Sequence, residues 1–195
     1  QRLSEANPSD LAAYAGVRRC LLQLHRYAQL EQFILRLQKT YRHLQFECDL
    51  AELQYLQGEK ASALQRWFNT VDANPLSEEA YQRVGGALES YELWKEALSV
   101  YQQGRKRLKR PHQFAFEVSR IRYHERQYAE SSEELLVVLK SSPEQFGQVQ
   151  AQFLNFMSDP PAFAPILQAI EKAIRADRSL DRKSTRLNSS HESPS

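Results

Sequence analysis

Ala6-Asn7-Pro8 with Tyr14 six residues after the proline returns as Ala73-Asn74-Pro75 with Tyr81. The two copies stand 67 residues apart, which is 33 + 34 and leaves room for one more unit between them. Self-similarity at this period is the mark of stacked helical hairpins, each too small to bury its apolar face alone. Laid in register, units begin at Leu11, Leu44, Glu78, His112 and Phe146, with spacings of 33, 34, 34 and 34.

Within the units, apolar or small residues recur at the fourth, seventh, eighth and eleventh places. Unit three shows this most clearly, with Tyr81, Val84, Gly85 and Leu88. Steps of three and four put such side chains on one stripe of a helix. The eighth place is small in Ala51, Gly85 and Ser119, which predicts a close approach by a second helix. A second stripe follows in each unit: Leu30, Ile34 and Leu37; Ala63 and Trp67; Ala97, Tyr101 and Gly104; Ser131, Leu135 and Val138. Polar turns separate the stripes, and Gly58 suits a helix end because it enters the left-handed region without a steric penalty. Pro75 and Pro143 close second helices, since proline cannot continue the hydrogen-bond ladder.

This layout resembles the tetratricopeptide repeat family. Tyr14, Tyr81, Ala51, Gly85, Ala63, Ala97, Trp67, Tyr101, Pro8, Pro75 and Pro143 occupy its signature places, over about residues 1–177. Glu47, Leu30 and Pro165 depart from it, and Asp159-Pro160-Pro161 breaks the chain in unit five before an amphipathic stretch from Phe163 to Ala176. The resemblance implies an all-α fold, a right-handed superhelical solenoid of antiparallel helix hairpins. Residues 1–180 form that solenoid in this reading, with Pro8 closing an earlier unit, so the chain is expected to be a fragment. Asp181-Arg182-Lys183-Ser184-Thr185-Arg186-Leu187-Asn188-Ser189-Ser190-His191 matches the in-frame translation of a widely used DNA-sequencing adapter. Residues 181–195 are therefore expected to be a disordered tail with no part in function, lacking the apolar content to pack.

Composition excludes several function classes. The 195 residues carry a net charge of +2, which gives no general pull toward nucleic acid or membrane. No run of about 18 apolar residues exists to span a bilayer. Cys20 and Cys48 read as small buried hydrophobes on neighbouring first helices. His25, His43, His112 and His124 are scattered without metal-ligand spacing and read as surface or turn residues. No nucleophile elbow or glycine-rich phosphate loop is present, and Gly85-Gly86 falls inside a predicted helix. The run Arg105-Lys106-Arg107-Leu108-Lys109-Arg110 reads as cations at a helix C-terminus, complementing its dipole. No enzyme activity, metal or cofactor is expected.

In the family that the repeats resemble, first helices line a concave groove through set places. Carried over, those places give Arg19, Glu52, Tyr55, Gln82, Glu89, Phe116, Arg120, Tyr123 and His124 as the candidate partner-binding residues. Aromatics mixed with both signs of charge suit a peptide or helix held by a few anchors. The lysine and asparagine pair that clamps a C-terminal carboxylate in some members is missing; the corresponding pairs are Ala15/Arg19, Cys48/Glu52, Gln82/Gly86 and Phe116/Arg120. The expected function is a non-catalytic scaffold for a protein or peptide partner. The alternatives are a regulatory or targeting arm of a larger protein, and an RNA-binding helical repeat, which the period and near-neutral charge disfavour.

Overall fold

A computed structural model describes residues 11–41 and 43–189. Among these residues the regular elements are all helical. They are α1 (Leu11–Gln23), α2 (Tyr27–Gln38), α3 (Leu44–Leu56), α4 (Lys60–Ala73), α5 (Glu78–Ser90), α6 (Trp94–Leu108), α7 (Ala115–His124), α8 (Tyr128–Ser141), a 3-10 turn at Pro143–Gln145, α9 (Phe146–Met157) and α10 (Pro160–Ser189). The chain divides after Lys109 into two compact units. The expected end of an earlier repeat at Pro8 lies outside the described residues, as does His191.

The helices of the first four hairpins pair through one recurring turn. Arg26 N–H reaches Leu21 O at 2.9 Å, Glu59 reaches Gln54 at 2.9 Å, Leu93 reaches Leu88 at 3.0 Å and Gln127 reaches Arg122 at 2.8 Å. This six-residue closure ends a helix and turns the chain. The residue before each of those donors is left-handed: His25 (φ 53°), Gly58 (φ 90°), Glu92 (φ 58°) and Arg126 (φ 60°). Only Gly58 announced the turn in the sequence. The other three hold a conformation that costs an L-residue about 1–2 kcal/mol, offset by the hairpin packing on either side.

In hairpins two, three and four the two small places are both buried: Ala51 and Ala63, Gly85 and Ala97, and Ser119 and Ser131. In the serine pair, Ser119 Oγ donates to Ser131 O and Ser131 Oγ to Ser119 O, both at 2.9 Å. Ser119→Ala is therefore expected to cost about 1 kcal/mol. The double change Ser119→Ala/Ser131→Ala, which reproduces the Ala51/Ala63 pair, is expected to recover most of that loss in urea unfolding. Costs that simply add would contradict reciprocal bonding.

In the first unit the core gathers Tyr14, Leu30, Phe33, Ile34, Phe46, Leu50 and Leu53. In the second it gathers Leu135, Val149, Phe153, Phe156 and Ile166. Four sequence expectations change. The fourth hairpin starts its first helix at Ala115, because Pro111 removes a donor and Phe114 is left-handed at φ 61°. Pro160 and Pro161 open α10 instead of breaking the chain, at positions where a missing N–H costs nothing. Helical backbone continues to Ser189, into the stretch read above as a disordered tail; Arg182, Lys183, Arg186 and Leu187 are fair helix formers. Finally, Cys48 is buried but Cys20 is exposed, and both are free thiols.

Candidate functional site

The first helices of the first unit, α1, α3 and α5, are tied together by one polar network. Its centre is Asp49, a carboxylate only 2 % exposed. Tyr14 Oη donates to Asp49 Oδ2, and Gln45 Nε2 donates to Oδ1 at 2.8 Å. Arg18 lies between two acids: its Nε is 2.9 Å from Asp49 Oδ1, and its Nη2 pairs with Glu52 Oε2. The Nε–H is not aimed at the Asp49 oxygen, so that contact is an ion pair without a hydrogen bond. Tyr91 Oη completes Glu52 by donating to Oε1 at 2.8 Å. Arg83 Nη1 donates to Gln45 Oε1, and its Nε pairs with Glu79 at 2.6 Å.

Burial is the leading electrostatic influence on the acids and phenols of this network. Burial pushes the Asp49 carboxyl above the usual carboxylate range, opposed by Arg18 and by the donors Tyr14 and Gln45. Burial and then Asp49 push the Tyr14 phenol up; burial and then Glu52 do the same to Tyr91. The Cys48 thiol is pushed up to about 12 by burial and by Asp49, so it stays protonated and inert at neutral pH. Among the described residues no cluster of three or more His, Cys, Asp or Glu could hold a metal ion. No helix there is long and apolar enough to cross a membrane.

The nine sequence candidates fall into both units. In the first, Arg19 and Gln82 are exposed on α1 and α5. Glu52 is committed to Arg18 and Tyr91. Tyr55 packs against Tyr91 at 4.5 Å between ring centres and against Trp67 at 5.8 Å, with Lys60 Nζ 5.4 Å over its ring. Glu89 accepts from Tyr101 Oη at 2.7 Å. In the second unit, Phe116 packs on the core, and Tyr123 stacks on Phe156 at 4.1 Å with its rings 7° apart. Tyr123 Oη also donates to Asp159 at 3.3 Å. Arg120 is half-buried, and His124 is exposed with its ring edge toward Tyr123. Several candidates thus brace neighbouring helices, while Arg19 and Gln82 are exposed.

Sequence reasoning missed Asp49 and Arg18. The signal was there: Arg18 fills the eighth place, small in the next three hairpins, and Asp49 sits inside an apolar stripe between Phe46, Leu50 and Leu53. A charge in both positions implies that the two meet.

The family model described as bacterial transcriptional activator domain matches residues 10–111, which covers most of the first unit, Gln1–Lys109. The chain belongs to the bacterial transcriptional activator domain family. Its matched part carries the Arg18–Asp49–Glu52 network and ends where α6 gives way to the left-handed Lys109. Among solved structures, the chain is similar to MamA 41-end from Desulfovibrio magneticus RS-1, at 12 % identity and a TM-score of 0.49, covering 87 % of this chain and 96 % of that one. It is also similar to the MamA RS-1 ArsTM double mutant, at 12 % identity and a TM-score of 0.48 with the same coverage. These likenesses concern the course of the backbone alone. No curated protein matches the sequence.

Proposed function

We propose that this chain is a non-catalytic, regulatory interaction module of a transcriptional activator, binding a peptide or helix of a protein partner on the first-helix face of its first unit. The supporting observation is the network that joins α1 to α3 through Tyr14, Arg18, Asp49 and Glu52, and α3 to α5 through Gln45 and Arg83, with Tyr91 just after α5 bonding Glu52. It fixes the spacing of three helices before any partner arrives, which lowers the ordering cost of binding. Around it, Arg19 and Gln82 stay exposed and available to orient a ligand. The family match supports the regulatory part of this reading.

A photo-crosslinking residue placed at Arg19 or Gln82 is expected to capture a discrete protein in bacterial cells. The same residue at Gln102, exposed on the second helix α6, is expected to capture little. Equal capture from all three positions would remove the face from consideration. Adducts to RNA in place of protein would transfer the reading to the nucleic-acid alternative.

A further inference from the structure

Away from the Arg18–Asp49 network, α3 and α4 enclose a groove on another face. Glu47 and Gln54 stand seven residues apart on one stripe of α3, a different stripe from that of Gln45, Asp49 and Glu52. Arg66 of α4 fastens both. Its Nε donates to Gln54 Oε1 at 3.0 Å, and its Nη1 donates to Glu47 Oε2 at 3.0 Å. Gln38 of α2 donates to the other Glu47 oxygen at 2.7 Å. Beside this floor runs a stripe of α4, Ala61, Gln65, Asn69 and Ala73, all exposed and each one helical turn from the next. Floor and stripe line a groove of about 810 Å³. At Glu47 and Asn74 it adjoins a further hollow of about 400 Å³, which makes the whole elongated.

The lining selects for an uncharged polar ligand. Among the described lining residues Arg66 is the one cation and Glu47 the one carboxylate, and they pair with each other. A phosphate backbone needs surplus cations. Among the same residues no aromatic ring is present to stack a base. Carboxamides dominate instead: Gln54, Gln65, Asn69 and Asn74. Each combines donors with an acceptor, as a peptide unit does. Gln65 Nε2 donates to Asn69 Oδ1 at 2.9 Å, which holds the two side chains in register. That leaves the Gln65 carbonyl to accept and the Asn69 amide to donate, one helical turn or about 6 Å apart. An extended chain repeats its N–H and C=O groups along one edge every two residues, about 6.6 Å. The two repeats match. From Ala61 to Ala73 the helix rises roughly 18 Å, which is room for about five extended residues. Ala61, Ser62 and Ala73 are small, so a main chain can come close.

We propose that this groove binds an extended polypeptide segment through its backbone, with the Gln65 and Asn69 carboxamides bonding alternate residues of the ligand. It is a site separate from the first-helix face proposed above, and neither depends on the other. A reader of main chain accepts many sequences and demands one conformation.

Random dodecapeptides displayed on phage and selected on the full chain supply the probe. Peptides that win are synthesised, and their affinities are measured by fluorescence anisotropy against three proteins. These are the wild type, Gln65→Ala/Asn69→Ala in the groove, and Arg19→Ala/Gln82→Ala on the first-helix face. All four positions are exposed and helical, and circular dichroism confirms that both variants fold. A set of peptides is expected to lose at least about tenfold in affinity for the groove variant while binding the other variant as they bind wild type. For that set, N-methylation of alternate backbone nitrogens is expected to abolish binding, and methylation of the intervening ones to leave it intact. A selection in which no peptide depends on Gln65 and Asn69 overturns the proposal, even where Arg19 and Gln82 matter and the first-helix face stands. Groove-dependent peptides that bind as helices, or that lose affinity equally on methylation at every nitrogen, overturn it too. So does single-stranded RNA that binds the groove in place of every peptide.

Discussion

Gly85→Ala is expected to destabilise the protein by about 3 kcal/mol, at the upper end of what overpacking costs. The alanine Cβ would fall on the Tyr101 ring, 2.5 Å from Cε1, 2.7 Å from Oη and closer still to Cζ. Tyr101 cannot swing aside, because it is buried and its hydroxyl donates to Glu89 at 2.7 Å. Either α5 and α6 part, or the ring leaves a filled core. For a chain of this size the melting temperature should fall on the order of 10 °C. Combining Gly85→Ala with Tyr101→Leu should cost less than the two changes added, since the leucine vacates the contested volume. Neighbouring Gly86 is the control. It is exposed, and a Cβ there meets nothing within 4 Å. Gly86→Ala should stabilise by about 1 kcal/mol through helix propensity alone. A Gly85→Ala protein that melts with the wild type would show that the crossing is looser than described.

Arg18→Met is expected to cost about 3 kcal/mol at neutral pH, because it leaves Asp49 buried without its counter-charge. The Arg18 side chain is 26 % exposed, which keeps the cost at the low end for breaking a buried pair. The pH dependence follows from the direction of the Asp49 shift. Burial raises its carboxyl, and Arg18 is the leading opposing influence. An acid whose folded pKa lies above its unfolded value of about 3.9 contributes stability when protonated and loses that contribution as pH rises through the folded pKa. Removing Arg18 raises the folded pKa further. The deficit of Arg18→Met should therefore be largest at neutral pH and narrow as pH falls toward about 4. Adding Asp49→Asn should recover part of the loss at neutral pH and flatten the pH dependence of the difference. Urea unfolding of the wild type, both single variants and the double variant across that range reads both effects. A deficit independent of pH would mean that Arg18 acts through packing and not through its charge.

The hairpins were legible because period and small-residue placement are written locally. Gly85 at the eighth place predicts a close approach by the second helix, and Tyr101 of that helix packs directly against it. Turn chemistry was half legible. Gly58 spoke for itself, but His25, Glu92 and Arg126 take the same left-handed conformation under the direction of tertiary packing, which propensity does not record. The candidate site was least legible. Family places pointed to Glu52, Tyr55, Glu89 and Tyr123 as groove contacts, yet each is engaged with a neighbouring helix. A position in a repeat fixes which helix a side chain belongs to; it does not say whether a partner inside the chain has already claimed it. The Arg18–Asp49 pair lies 31 residues apart and in different hairpins, so only the misfit of each charge within its own pattern hinted at it.

Everything rests on one hairpin repeated, with its reversal falling at the same place in the first four copies. Backbone assignment by NMR tests this directly, because carbon chemical shifts and scalar couplings report the sign of φ. His25, Gly58, Glu92 and Arg126 are expected to show positive φ, each as an isolated residue between two helical segments. Continuous helix through any of these four positions, or extended strand on either side of one, would contradict the repeat and the first-helix face built upon it.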